Sequence, residues 1–334
     1  MSNQTRTSHD PSDSHASSDS DLPDMSSLKI NPQRAVELFE NLASVRTRIH
    51  HARKSAKFTT PTSSSTAAST EPIPRLVAVS KLKPATDILA LHRPTKNEEF
   101  TTAQTHFGEN YVQELLEKSR VLPASIKWHF IGGLQSNKCT VLAREVRGLW
   151  AVESVDSAKK ARGLEKGWRE RKEKIASAGK DGKAERQDEK EDEAGEYEEE
   201  QLRVFVQINT SGEESKSGVE PKSNELVDLC RLIRDECSHL RLQGLMTIGA
   251  IARSKATTPE NENEDFVSLR ENRDWLVAEH GFEQGLELSM GMSDDYEGAI
   301  VQGSDEVRVG TTIFGQRPPR KEAKVLEKTE QAKS

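Results

Sequence analysis

The chain has 334 residues, of which 33% are hydrophobic and 31% charged, with 48 Lys and Arg set against 55 Asp and Glu. A net charge of −7 excludes a global basic footprint for nucleic acid or an anionic membrane, and no apolar run approaches the roughly 18 residues of a spanning helix. Three cysteines, an odd number without metal-ligand spacing, fit a reduced intracellular protein, and a start with neither an apolar nor an Arg-rich segment reads as free of a targeting peptide.

Residues 1–31 are rich in Ser and Asp and too polar to offset the entropy of ordering, so the sequence predicts disorder there. From Pro32 the pattern changes. Leu38, Leu42, Val45 and Ile49 recur at helical steps, predicting a first helix to about His51. A Ser/Thr/Pro/Ala linker covers 59–72, a Lys/Glu/Asp tract covers 169–201, and a smaller polar break lies at 254–265. The tract reads as a loop insertion, either a solvated helix extension or disordered. A charged tail runs from 318 to 334, too short for a domain.

What remains alternates short apolar strands with amphipathic helices. Strands are predicted at Leu76–Ser80, His106–Gly108, Lys127–Ile131, Leu149–Val152, Val204–Ile208, Gln243–Thr247, Glu287–Met290 and Glu306–Val309. Helices are predicted at Pro84–Leu91, Val112–Arg120, Asn137–Arg144, Ser157–Trp168, Lys222–Cys237, Phe266–His280 and Asp294–Gln302. Eight strands spaced for crossover helices give an α/β chain with a parallel sheet. A closed (β/α)8 barrel over 32–317 and an open doubly wound sheet both fit. Eight successive units favour the barrel, and no G-x-G-x-x-G follows the first strand.

In a barrel, polar residues at strand C-termini carry function. Lys81 leaves the first strand on the same face as Val77 and Val79. A buried amine there loses its charge readily and can form a Schiff base; a stem lying along apolar surface with its head in water fits the same position. Asn110 follows the second strand, either as a ligand contact or as a helix cap. His129 lies inside an apolar strand and reads as a satisfied core histidine. Near the C-terminus, Ser293, Gly310 and Thr311 lie in Gly/Ser-rich loops after the seventh and eighth strands, where barrels bind phosphate. Arg308 leads into the second of these loops.

The blocks AVSKLKP (78–84), HFGENYVQE (106–114), WHFIGGLQSNK (128–138), SGEESKSG (211–218), GLMTIGA (244–250), LSMGMSDD (288–295) and VRVGTTIFG (307–315) together resemble the pyridoxal-phosphate homeostasis protein family. Those proteins are barrels of the alanine racemase N-terminal type. The resemblance spans about 36–317 and departs at Gly133, where relatives often carry Pro. It implies pyridoxal 5′-phosphate (PLP) as cofactor, a Schiff base at Lys81, and a phosphate site at Ser289, Ser293, Gly310 and Thr311. It also implies Arg308 beside ring or phosphate, and Asn110 as a ring contact. The implied role is a PLP carrier supplying apo-enzymes, with no substantial turnover. That carrier is expected to be monomeric and cytoplasmic, with the mitochondrion as a second compartment. A PLP-dependent racemase or decarboxylase and a cofactor-free class I aldolase are the alternatives.

Overall fold

The computed structural model describes residues 28–58, 73–93, 102–181, 200–258, 261–319 and 323. Residues 1–27, the linker at 59–72 and most of the tail lie outside them.

Eight parallel strands close into a barrel in sequence order: β1 Arg75–Val79, β2 His106–Glu109, β3 Lys127–Phe130, β4 Leu149–Val155, β5 Leu202–Gln207, β6 Leu240–Met246, β7 Glu287–Ser289 and β8 Glu306–Val309. Closure is made by β1 on β8, with Val77 opposite Arg308 and Ala78 opposite Val309. The open doubly wound alternative is thereby excluded. The outer ring is α1 Pro32–Lys54, α2 Ala85–His92, α3 Val112–Val121, α4 Cys139–Glu145, α5 Ala158–Asp181, α6 Asn224–Arg231, α7 Ile251–Ala256, α8 Glu264–His280, α9 Tyr296–Val301 and α10 Thr311–Phe314.

α1 starts cleanly because Asn31 accepts from the Arg34 N–H at 3.1 Å and proline follows it at the first helical position. Its stripe of Leu38, Leu42, Val45 and Ile49 is buried, in contact with α2, α9 and α10. α10 has only four residues, so α1 takes the place in the ring that a helix after the last strand would fill. Asn41 donates to the Ile313 carbonyl at 3.1 Å and Arg34 to that of Phe314 at 2.8 Å. The first helix therefore grips α10, which follows the last strand.

Several elements differ from the sequence reading. Leu28 and Ile30 pack on the core and Asn31 caps α1, so order begins before residue 32. α5 extends to Asp181, which makes the first part of the charged tract a helix extension; residues 182–199 lie outside the described residues. The polar break at 254–265 contains the end of α7 and the start of α8. The helix expected at Lys222–Cys237 is α6 followed by a wide turn at Leu232–Glu236. β4 runs three residues further than expected, through Val155. A register shift at Trp128/His129 lets both Trp150 and Glu153 reach His129, which strict alternation forbids for residues three apart.

Candidate functional site

The lower barrel interior is polar. Trp150 lies between the guanidinium groups of Arg75 and Arg203, each 4.4 Å from its ring. Arg75 bonds Glu287 at 2.6 Å and Glu306 at 2.9 Å. Burial holds His129 well below the usual histidine range, at about 4, so it is neutral. Its Nδ1–H then donates to Glu153 at 2.7 Å, which leaves Nε2 to accept from His106 at 2.8 Å. Burial and the neighbouring Glu153 push Glu306 up to about 7. His129, Glu153 and Glu306 bring ligand-type atoms within 4.8 Å of one another. Arg75 faces Glu306 and Arg308 faces Glu153, so each carboxylate of this layer has a guanidinium beside it.

Arg308 tops this layer and is 3% exposed, so it is not a surface residue. Its guanidinium donates to Ser289 Oγ at 2.5 Å and to the Thr247 carbonyl at 2.7 Å, with Glu153 at 3.6 Å. These contacts fix its direction inside the barrel. Ser289 belongs to the same layer. Its hydroxyl also reaches Glu153 at 2.8 Å and Glu306 at 2.9 Å, so that group is committed below the mouth and stands apart from the expected phosphate cup. Two buried carboxylates and a guanidinium claim it first, which its place in a Gly/Ser-rich segment does not reveal.

Ser293 and Gly310 do come together. The Gly310 N–H donates to Ser293 Oγ at 3.1 Å, and the Ser293 hydroxyl keeps its own proton to donate. Gly310 therefore acts through Ser293 and through its lack of a side chain: a Cβ there would stand 3.2 Å from the Val79 carbonyl. Thr311 and Thr312 open α10, and the first N–H groups of a helix have no acceptor within it. A hydroxyl proton and two backbone N–H groups thus share one loop region, a donor set suited to a phosphate.

Lys81 follows β1 and is partly buried. Burial, then the charges of Arg317 and Arg308, lower its amine from 10.5 to about 8, against opposing effects of Glu109 and Glu114. A neutral fraction of about one tenth at pH 7, far above that of an ordinary lysine, makes it nucleophilic. Lys83 is differently placed. Its ammonium donates to the carbonyls of Phe314 at 2.9 Å and Gln316 at 2.7 Å, a structural role.

Asn110 is not a helix cap. Tyr111 holds that position, with no side-chain hydrogen bond. The Asn110 Oδ1 is buried and has no partner among the described residues. Its backbone lies so close to Gly132 that a Cβ there would stand 2.2 Å from the Asn110 carbonyl oxygen. Gly133, by contrast, has open space around its Cβ position.

Sequence reasoning missed Glu109, Glu114 and Lys118. Lys118 is fully buried, and its Nζ lies 2.7 Å from both carboxylates. The available signal was spacing. Leu115, Lys118 and Leu122 fall at steps of three and four, which puts the lysine on the core face of α3.

Comparisons with known proteins bear on the chain as a whole. The family model described as "Alanine racemase, N-terminal domain" matches residues 64–318. The pyridoxal phosphate homeostasis protein of Schizosaccharomyces pombe is 40% identical over 250 residues, 75% of this chain and 87% of that protein. The human protein of the same name is 40% identical over 250 residues, 73% of this chain and 77% of its own length. Among solved structures, PipY of Synechococcus elongatus with PLP bound is 26% identical and has a TM-score of 0.52; the match covers 83% of this chain and all of PipY.

Proposed function

We propose, since this chain belongs to the pyridoxal phosphate homeostasis protein family, that it binds PLP at the C-terminal mouth of the barrel and holds it in reserve for other enzymes. The observation that carries the site is the convergence of a deprotonatable amine at Lys81, an unpartnered buried acceptor on Asn110 and the donor-rich loop at Ser293 and Gly310–Thr312. These residues fit a phosphorylated aromatic aldehyde. When bound, such a group supplies an aldehyde that combines reversibly with a primary amine.

Each residue then has one task. Lys81 offers its neutral amine. Ser293 and the first N–H groups of α10 hold the phosphate, with Gly310 leaving room for it. Asn110 accepts from the ligand. Arg308, locked by Ser289 and Thr247, presents a fixed positive charge to the ring or phosphate. A guanidinium against a ring nitrogen disfavours protonation there, which suits storage better than carbanion chemistry. The function is that of a carrier without substantial turnover. Delivery to apo-enzymes, a monomeric state and a cytoplasmic setting belong to the same proposal; the free, buried Cys139, Cys230 and Cys237 support a reducing compartment.

Borohydride reduction of the PLP-loaded protein should leave a pyridoxyl group on the peptide containing Lys81, and Lys81→Ala should abolish the visible absorption of the bound ligand. Labelling on Lys83 in its place would overturn the assignment. Turnover of common amino acids within the usual enzymatic range of roughly 1–10³ s⁻¹ would favour the racemase or decarboxylase alternative.

A further inference from the structure

Lys81 is flanked by two residues that are held from below. Lys118 Nζ donates to the Ser80 carbonyl at 2.9 Å, to Glu109 Oε1 at 2.7 Å and to Glu114 Oε1 at 2.7 Å, using all three ammonium donors. The Ser80 hydroxyl donates to the same Glu109 oxygen at 2.6 Å. On the other side of Lys81, the Leu82 N–H donates to Glu114 Oε1 at 2.7 Å. Leu82 needs this hold, because its φ of 61° is a left-handed conformation that a leucine rarely adopts. Glu109 comes from the end of β2, Glu114 and Lys118 from one face of α3, and all three are buried. The cluster touches the backbone on both sides of Lys81 and makes no hydrogen bond to the Lys81 amine itself.

We infer that Glu109, Glu114 and Lys118 are positioning residues that clamp the Ser80–Leu82 turn and so fix where the Lys81 amine stands at the barrel mouth. The clamp deepens the proposed function and rests on its reading of Lys81 as the ligand-bearing lysine. Lys81 must combine two conditions, burial enough to lose its proton near neutral pH and reach toward the ligand. A strained turn held at both ends provides both.

Position and charge are separated by comparing Glu114→Ala with Glu114→Gln. Both remove the negative charge, whereas only the amide keeps an acceptor for the Leu82 N–H. The readout is the pH dependence of Lys81 acetylation by acetic anhydride, followed by mass spectrometry on the full chain without PLP. The charged groups acting on Lys81 are Glu109, Glu114, Arg308 and Arg317. The wild-type midpoint should lie near 8. Glu114→Ala should move it upward by about one unit, a tenfold loss of neutral amine at pH 7, while Glu114→Gln stays at or slightly below the wild-type value. PLP affinity should fall in the alanine variant and recover in the glutamine variant. Equal midpoints for the two variants would overturn the clamp. Hydrogen exchange at the Leu82 amide of the wild-type protein tests it without any variant: protection is expected, and exchange at the rate of an open loop would overturn it. Because the acetylation profile and the hydrogen exchange need no PLP, a pyridoxyl group found on another lysine would remove the functional reading and still leave the clamp decided.

Discussion

Lys81 sits where desolvation and two arginines oppose its positive charge, so its site works against the folded state at neutral pH. The lowering from 10.5 to about 8 corresponds to roughly 3 kcal/mol at 1.36 kcal/mol per unit, and solvent screening at a partly exposed amine leaves about 1–2 kcal/mol. Lys81→Met should therefore raise Tm by about 3–6 °C at pH 7, by the usual conversion for a domain of this size, while abolishing ligand binding. The sign follows from proton counts. The unfolded chain binds more protons between pH 8 and 10.5, so wild-type stability rises with pH across that window. The gap between the two proteins should close there. Melting curves at pH 7 and pH 10 check both statements. Gly310 carries a second expectation at this scale. With the Val79 carbonyl 3.2 Å from its absent Cβ, Gly310→Val must displace the loop that opens α10. PLP affinity should fall far more than that of unphosphorylated pyridoxal, as titrations with the two ligands would register; equal losses would put the phosphate elsewhere.

Among the elements, α1 carries the clearest energetic expectation. Leu42 is 1% exposed on the face that α1 turns to the ring. Leu42→Ala should cost about 2–5 kcal/mol through lost transfer energy and a residual cavity, read as a lower denaturant midpoint with an unchanged slope. The positions of the strands were largely legible, because each is a short apolar run with a turn behind it. β4 was not legible to its end. Glu153 and Ser154 lie beyond the expected strand end at Val152, yet Glu153 is fully buried, with His129, Ser289 and Arg308 around its carboxyl group. The candidate site divides in the same way. Lys81, Asn110, Ser293, Arg308, Gly310 and Thr311 are candidates in the sequence because they lie at or near strand ends. Ser289 reads as one of them, and only the packing of β4, β7 and β8 sends its hydroxyl inward. The clamp beneath Lys81 stayed hidden because carboxylates and lysines on a helix are ordinarily solvated, and pairing across elements leaves little local trace.

For the molecule as a whole, the described ends of the charged tract show where it joins the barrel. α5 leads into the charged tract and β5 resumes at Leu202, so the tract enters on the side of the ring where strands begin. Replacing residues 182–199 with a short Gly/Ser linker should leave PLP affinity and the Lys81 labelling profile unchanged, and a loss of binding with retained fold would show that the tract reaches the mouth. The place of α1 has a consequence for how the protein is made. A ribosome releases this helix before any strand, but the Ile313 and Phe314 carbonyls that receive Asn41 and Arg34 come 272 and 280 residues after those side chains. At roughly 5–20 residues per second, about 14–56 s pass in which the apolar stripe of α1 has no finished ring to join. During that interval the nascent chain carries Lys81 without Gly310 or Thr311. On the proposed site, capture of PLP therefore waits for β8 and α10, and translation arrested before β8 should yield a lysine without the proposed phosphate seat.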